Sequence, residues 1–127
     1  MRLIVVRHAE AAPGDPDETR PLTPAGQDAA RALGERLAGE RIDVILTSPL
    51  LRARETAEAI ARSSQAPVEI DERLAPGATA AGTREAVAGK GDTVVTVGHQ
   101  PDCSEIVLEL TGREQRFAPA GFAEVAL

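Results

Sequence analysis

Four consecutive apolar residues near the start, Leu3-Ile4-Val5-Val6, predict a strand buried on both faces. A polar, proline-containing stretch over 10–21 reads as a loop. Thr23-Pro24 then predicts a helix start, with Thr as N-cap and Pro at the first helical position. Ala29, Ala30, Leu33 and Leu37 supply its apolar stripe. Asp43-Val44-Ile45-Leu46 predicts a second strand, and Thr47-Ser48-Pro49 repeats the cap-then-proline signal. The helix that follows is expected to reach Arg62, with Leu51, Ala57, Ile60 and Ala61 facing inward. Val68-Glu69-Ile70 predicts a third, shorter strand. Residues 75–91 are small and loop-like, with one short helix expected over 83–88. A strand over 93–97, a helix over 101–110 and a closing strand over 123–127 complete the pattern. Strands alternating with helices predict one α/β domain over 1–127, its mainly parallel sheet flanked by helices.

Composition narrows the functional classes. The chain has 127 residues, enough for one domain, and only 2% of them are aromatic, with no Trp or Tyr. Its core must therefore be built from Val, Ile, Leu and Ala. Phe117 and Phe122 alone offer little for stacking bases, and the net charge of −6 disfavours nucleic acid and anionic membrane as partners. Arg7, His8 and Glu10 interrupt the opening apolar run too early for a signal peptide or a membrane span. Cys103 is the only cysteine, so no internal disulfide forms, which suits a reducing cytoplasm. A cytoplasmic protein is the expectation.

The chemistry gathers where strands end. Arg7-His8 follows the first strand, Ser48 to Arg52 the second, and Gly98-His99 the strand over 93–97. In an open parallel sheet these carboxyl ends share one edge, the usual ligand-binding edge. Both histidines of the chain are thus expected together with Arg7 and Arg52. Helix N-termini starting at Ser48 and near Pro101 would add N–H donors. Two guanidiniums can grip phosphoryl oxygens, and a neutral imidazole is a nucleophile. The expected mechanism needs no metal and no cofactor: His8 attacks phosphorus, and water then hydrolyses the phosphohistidine. Arg7, Arg52 and a protonated His99 hold the oxygens.

Four segments carry a family likeness: Arg7-His8-Ala9-Glu10-Ala11; Arg20-Pro21-Leu22-Thr23 with Gly26; Ser48-Pro49-Leu50-Leu51-Arg52-Ala53 with Thr56; and Gly98-His99-Gln100-Pro101. In this order the chain resembles the histidine phosphatase superfamily, which includes the phosphoglycerate mutases, and within it the short SixA-type phosphohistidine phosphatases. The resemblance implies a phosphoglycerate mutase-like fold, His8 as the phosphorylated nucleophile, and Arg7, Arg52 and His99 as the phosphate pocket. It also implies that a backbone carbonyl in the loop after His8 fixes the imidazole tautomer. Two positions depart from the family pattern. Ala9 stands where Gly is usual, and the segment Asp71-Glu72-Arg73-Leu74 matches poorly the region that supplies a general acid in larger members. Glu72 is the candidate acid. A missing acid would point to phosphohistidine substrates, because a protonated imidazole leaves readily without one.

Other readings stand beside these. Arg20 either lines the pocket rim and binds substrate or pairs with Asp17 or Glu18. Thr23 and Ser48 are caps first, with ligand contact by Ser48 secondary. Cys103 lacks the Arg six residues on that a cysteine phosphatase needs, since Glu109 stands there. Gly77 to Gly82 has phosphate-loop glycine spacing but is followed by Thr83-Arg84 instead of Lys-Ser/Thr. His99 and Cys103 supply too few ligands for zinc. The substrate expected is a phosphorylated protein of the histidine phosphotransfer type. The alternatives are a small phosphate ester of a sugar or nucleotide, or a non-catalytic phospho-binding module.

Overall fold

A computed structural model describes all 127 residues. Five strands form one sheet: β1 (Arg2–Arg7), β2 (Val44–Thr47), β3 (Val68–Ile70), β4 (Thr93–Gly98) and β5 (Phe122–Ala126), in the order β3-β2-β4-β1-β5. The first four are parallel, and β5 closes the sheet antiparallel to β1. Four helices cover it: α1 (Pro24–Leu37), α2 (Leu51–Ser64), α3 (Ala80–Val87) and α4 (Asp102–Thr111). This is the mainly parallel α/β architecture that the alternation predicts.

The continuous apolar runs are required by this two-faced burial. Along β1, Leu3 and Val5 join a core with residues of α3 and α4, such as Val87, Cys103 and Val107. Ile4 and Val6 point the other way and pack with Leu33 and Leu37 of α1 and Ile60 of α2. Each inner strand therefore serves two cores, and its carboxyl end emerges between two layers of helix.

Two helices differ from the sequence reading, α2 in its start and its buried face and α3 in its start. Thr23 caps α1 as predicted, accepting from the Gly26 N–H at 2.9 Å. Ser48 does not cap α2; the helix begins at Leu51, and Ser48-Pro49-Leu50 form the bend that leads into it. The buried face of α2 is also rotated from that expected. Arg52, Ala53 and Thr56 are buried beside Ala57 and Ile60, while Leu51 and Ala61 are half-buried. The cause lies in the polar members: Arg52 and Thr56 find partners inside, so an apolar count misplaces the face. Finally, α3 starts earlier than predicted, at Ala80, because Thr79 caps it by accepting from the Gly82 N–H.

Candidate active site

At the end of β1 the chain leaves the sheet through Arg7 and His8. The His8 N–H still donates to the Gly98 carbonyl at the end of β4, at 3.0 Å, and its carbonyl accepts from Ala120 N–H at 3.2 Å. The backbone of His8 is thus held from both neighbouring strand ends. Its Nδ1 lies 2.7 Å from the Ala9 carbonyl, an acceptor only, so Nδ1 carries the proton and Nε2 keeps its lone pair. The next N–H, of Ala9, donates to Thr56 Oγ1 at 3.0 Å, and that hydroxyl donates to the Arg52 carbonyl at 2.8 Å. Thr56 thereby ties the loop after His8 to the first turn of α2.

His99 follows β4, with its ring centroid 5.1 Å from that of His8. It is only 4% exposed. Its Nε2 lies 2.7 Å from Ser48 Oγ, which also accepts from the Leu50 N–H at 3.2 Å. Its Nδ1 is buried without a partner in the protein, and so is the Nε of Arg7. Arg7 itself is anchored by Nη1, which donates to the Phe117 carbonyl at 2.8 Å. Buried polar atoms are paired in the great majority of cases, so the unpaired Nδ1 of His99, on a ring 5.1 Å from that of His8, marks a place for a hydrogen-bonding ligand.

Arg52 is 7% exposed, and its Nη1 and Nη2 donate to the carbonyl and a carboxylate oxygen of Asp17, at 2.9 and 3.1 Å. Asp17 lies on a short 3-10 turn, Asp17–Thr19, within the loop that sequence left unstructured. Its other oxygen accepts from Arg20 Nη1 at 2.9 Å, while Arg20 Nε donates to the Ala12 carbonyl. Arg20 therefore makes the Asp17 pairing and also stands near enough to bias His8 electrostatically. Asp17 is the member of this constellation that the sequence reading knew only as a partner for Arg20. Its signal was the short Asp17-to-Arg20 spacing, but nothing in the sequence indicated Arg52.

Electrostatics keep both rings neutral. Burial, then the nearby Arg52, Arg7 and Arg20 charges, push the His8 pKa below its ordinary value, against the Ala9 hydrogen bond that raises it. His99 is pushed down to about 4 by burial, then by His8 and Arg52, with Asp17 opposing. The expected imidazolium at His99 is therefore not what the protein's own groups favour. Burial likewise pushes the Cys103 thiol up to about 12, so it is inert and packs in the core.

Other predicted residues sit elsewhere. Ser48 has no exposed surface and reaches the pocket only through His99. Glu72 is exposed on the 3-10 turn Glu72–Leu74 and makes no side-chain hydrogen bond. It lines a cleft with Arg73 and residues 75–79, a cleft that contains none of His8, Arg7, Arg52 and His99. The largest cavity, about 700 Å³ between α1 and β5, also contains none of the four. No three His, Cys, Asp or Glu side chains converge as metal ligands, and no helix is long and apolar enough to cross a membrane. Two neutral imidazoles and two anchored guanidiniums with donors to spare can surround a tetrahedral oxyanion, with one imidazole lone pair free to attack.

Known proteins share this fold. The SixA protein histidine phosphatase, solved with tungstate, superposes with a TM-score of 0.89 at 29% identity, over all of this chain and 88% of that one. Phosphohistidine phosphatase SixA of Escherichia coli K12 is 31% identical over the whole chain and 86% of its own length. An uncharacterized protein of Picosynechococcus is 37% identical over 95% of the chain and 82% of its own length. The family model of the histidine phosphatase superfamily, branch 1, matches residues 3–76. With the fold, the order of the motifs and these relatives in agreement, the chain belongs to the histidine phosphatase superfamily and is a phosphatase.

Proposed function

We propose that this phosphatase removes phosphoryl groups from phosphohistidine on a protein, without a metal, through a covalent intermediate on His8. The observation that carries the reading is the 2.7 Å contact of His8 Nδ1 with the Ala9 carbonyl, which leaves Nε2 as the nucleophilic atom. The Nε2 lone pair attacks phosphorus, and the phosphorus–nitrogen bond of the substrate breaks with its electron pair passing to the departing imidazole. That ring, protonated on its other nitrogen, leaves as neutral imidazole. Arg7, Arg52 and His99 hold the equatorial oxygens. His8 keeps its Nδ1 proton throughout, so the phosphorylated ring is an imidazolium and itself a good leaving group. Water then attacks phosphorus, the bond to Nε2 breaks, and the electron pair returns to His8. The proton lost by water goes to the released phosphate or to solvent.

Two further observations favour a phosphohistidine over an alcohol ester. Glu72, the candidate acid that an alkoxide would need, is exposed and makes no side-chain hydrogen bond that would aim it at the site. The curated relative that aligns with the whole chain is a phosphohistidine phosphatase. Arg20 and Ser48 are assigned supporting positions, Arg20 at the rim through Asp17 and Ser48 behind His99.

The test is phosphate release from a phosphohistidine peptide in EDTA, comparing wild type with His8→Ala. Release by wild type alone is expected. Release by neither protein, with turnover of small phosphate esters, would replace this substrate class with the small-molecule one. Oxyanion binding without any turnover would make the chain a phospho-binding module, and release that stops in EDTA would overturn the metal-free mechanism.

A further inference from the structure

We infer that Ser48 is a positioning residue that fixes the tautomer of His99, so that the ring donates to the phosphoryl group through Nδ1–H. The inference rests on the reading of this pocket as a phosphoryl site and adds how one of its donors is set.

The hydrogen-bond inventory of Ser48 carries it. A serine hydroxyl has one proton and two lone pairs. Ser48 has no exposed surface, and only two groups contact its Oγ: the Leu50 N–H at 3.2 Å and His99 Nε2 at 2.7 Å. The Leu50 N–H is a donor and takes one lone pair. If Nε2 also carried a proton, Oγ would face two donors, and its own proton would be buried without an acceptor. Folded proteins almost never tolerate such an orphan. An imidazolium has the same defect, because it too places a proton on Nε2. One arrangement satisfies both atoms of the contact: Ser48 Oγ–H donates to Nε2, and the ring proton sits on Nδ1, the one nitrogen left for a ligand.

That assignment explains the orphan. Nδ1 of His99 is buried and has no partner in the protein. With the proton there, it is an unpaired donor on a ring whose centroid lies 5.1 Å from that of His8, the ring that attacks phosphorus. With the proton on Nε2, Nδ1 would offer a phosphoryl oxygen only a lone pair and could not bind it. Burial and the neighbouring Arg52 keep the ring neutral, which suits donation by tautomer instead of by charge. The two histidines thus hold the same tautomer by different means, a backbone carbonyl at His8 and a serine hydroxyl at His99.

The experiment is ¹⁵N NMR of the imidazole nitrogens in the tag-free chain at pH 7, without substrate. Only two histidines are present, and the spectrum of His8→Gln identifies the signals of His99. A protonated, pyrrole-type Nδ1 and a pyridine-type Nε2 are expected. A pyridine-type Nδ1, or protons on both nitrogens, would overturn the inference. In Ser48→Ala the proton is expected to redistribute toward Nε2, with tungstate binding weakened about tenfold, the loss of one charge-assisted hydrogen bond. Retention of the Nδ1 proton and of tungstate affinity in that variant would remove Ser48 from the role. No turnover is read in any of these measurements, so a failure here is distinct from a failure of phosphohistidine hydrolysis.

Discussion

Asp17 grips Arg52 twice, through its backbone carbonyl and its carboxylate, across 35 positions of sequence. The same carboxylate holds Arg20, so one acid brings two guanidiniums together. Arg52 makes no other side-chain hydrogen bond within the protein, which leaves its Nε and the second N–H of each Nη available to an oxyanion. Neither His8 nor Arg7 hydrogen-bonds to Asp17, which is itself exposed. Asp17→Ala is expected to weaken tungstate binding roughly threefold to fivefold and to raise KM more than it lowers kcat, as suits an exposed ion pair with one buried partner. Tighter tungstate binding by this variant would show instead that the carboxylate competes with phosphate for Arg52.

The depressed pKa of His99 has a consequence for stability. The folded state holds the ring neutral down to about pH 4, whereas the unfolded chain protonates it below about pH 6.5. Between those values the unfolded state binds more protons, so stability falls as pH drops from 6.5 towards 4 and is unaffected by this group above 6.5. The slope from one such histidine is at most roughly 1.4 kcal/mol per pH unit, and His8 contributes in the same direction. Urea unfolding at a series of pH values should show a shallower acid slope for His99→Gln than for wild type. Equal slopes would mean that His99 titrates normally in the fold.

Glu72→Gln tests the acid directly. A general acid typically supplies a factor of about 100 or more, whereas Glu72 is exposed and no hydrogen bond fixes its carboxyl group. Release from a phosphohistidine peptide should stay within about twofold of wild type. A loss approaching a hundredfold would return Glu72 to the mechanism.

Gly26 lies in the first turn of α1, where a Cβ would stand 2.1 Å from the Glu10 carbonyl oxygen. Alanine ordinarily favours a helix over glycine by about 1 kcal/mol. Here the sign should reverse, because backbone cannot yield as a flexible side chain can. Gly26→Ala is expected to destabilise the protein by about 1–3 kcal/mol, read as a lower urea midpoint. An unchanged or higher midpoint would show that α1 can shift away from the loop after His8 without cost.

The legible parts of this molecule were those written in consecutive residues. Leu3 to Val6 declared a strand because burial on both faces demands an apolar run, and Thr93 to Val97 did so through its β-branched residues. Both histidines could be placed on one edge because strand ends in a parallel sheet converge. Ser48 was misread as a cap because Ser-Pro has the same local signature whether its hydroxyl serves a helix or a histidine 51 residues away. The depressed pKa of His99 had no sequence signature, because desolvation is a property of the packed site. The anchors of Arg52 and Arg7, Asp17 and the Phe117 carbonyl, join positions far apart in sequence, and a backbone carbonyl has no sequence signature at all.

The last of those anchors has a temporal consequence. Arg7 and His8 precede by about 110 residues the Phe117 carbonyl, the Ala120 N–H and the Gly121 carbonyl that hold them. Translation proceeds from the amino end, so a nascent chain carries its nucleophile for more than a hundred residues before the support for it exists. Until β5 docks beside β1, the pocket lacks one wall and its arginine hangs unanchored. Phosphatase activity in this chain therefore requires that residues 117–126 have been made and have docked, and a ribosome-bound fragment lacking them should be silent.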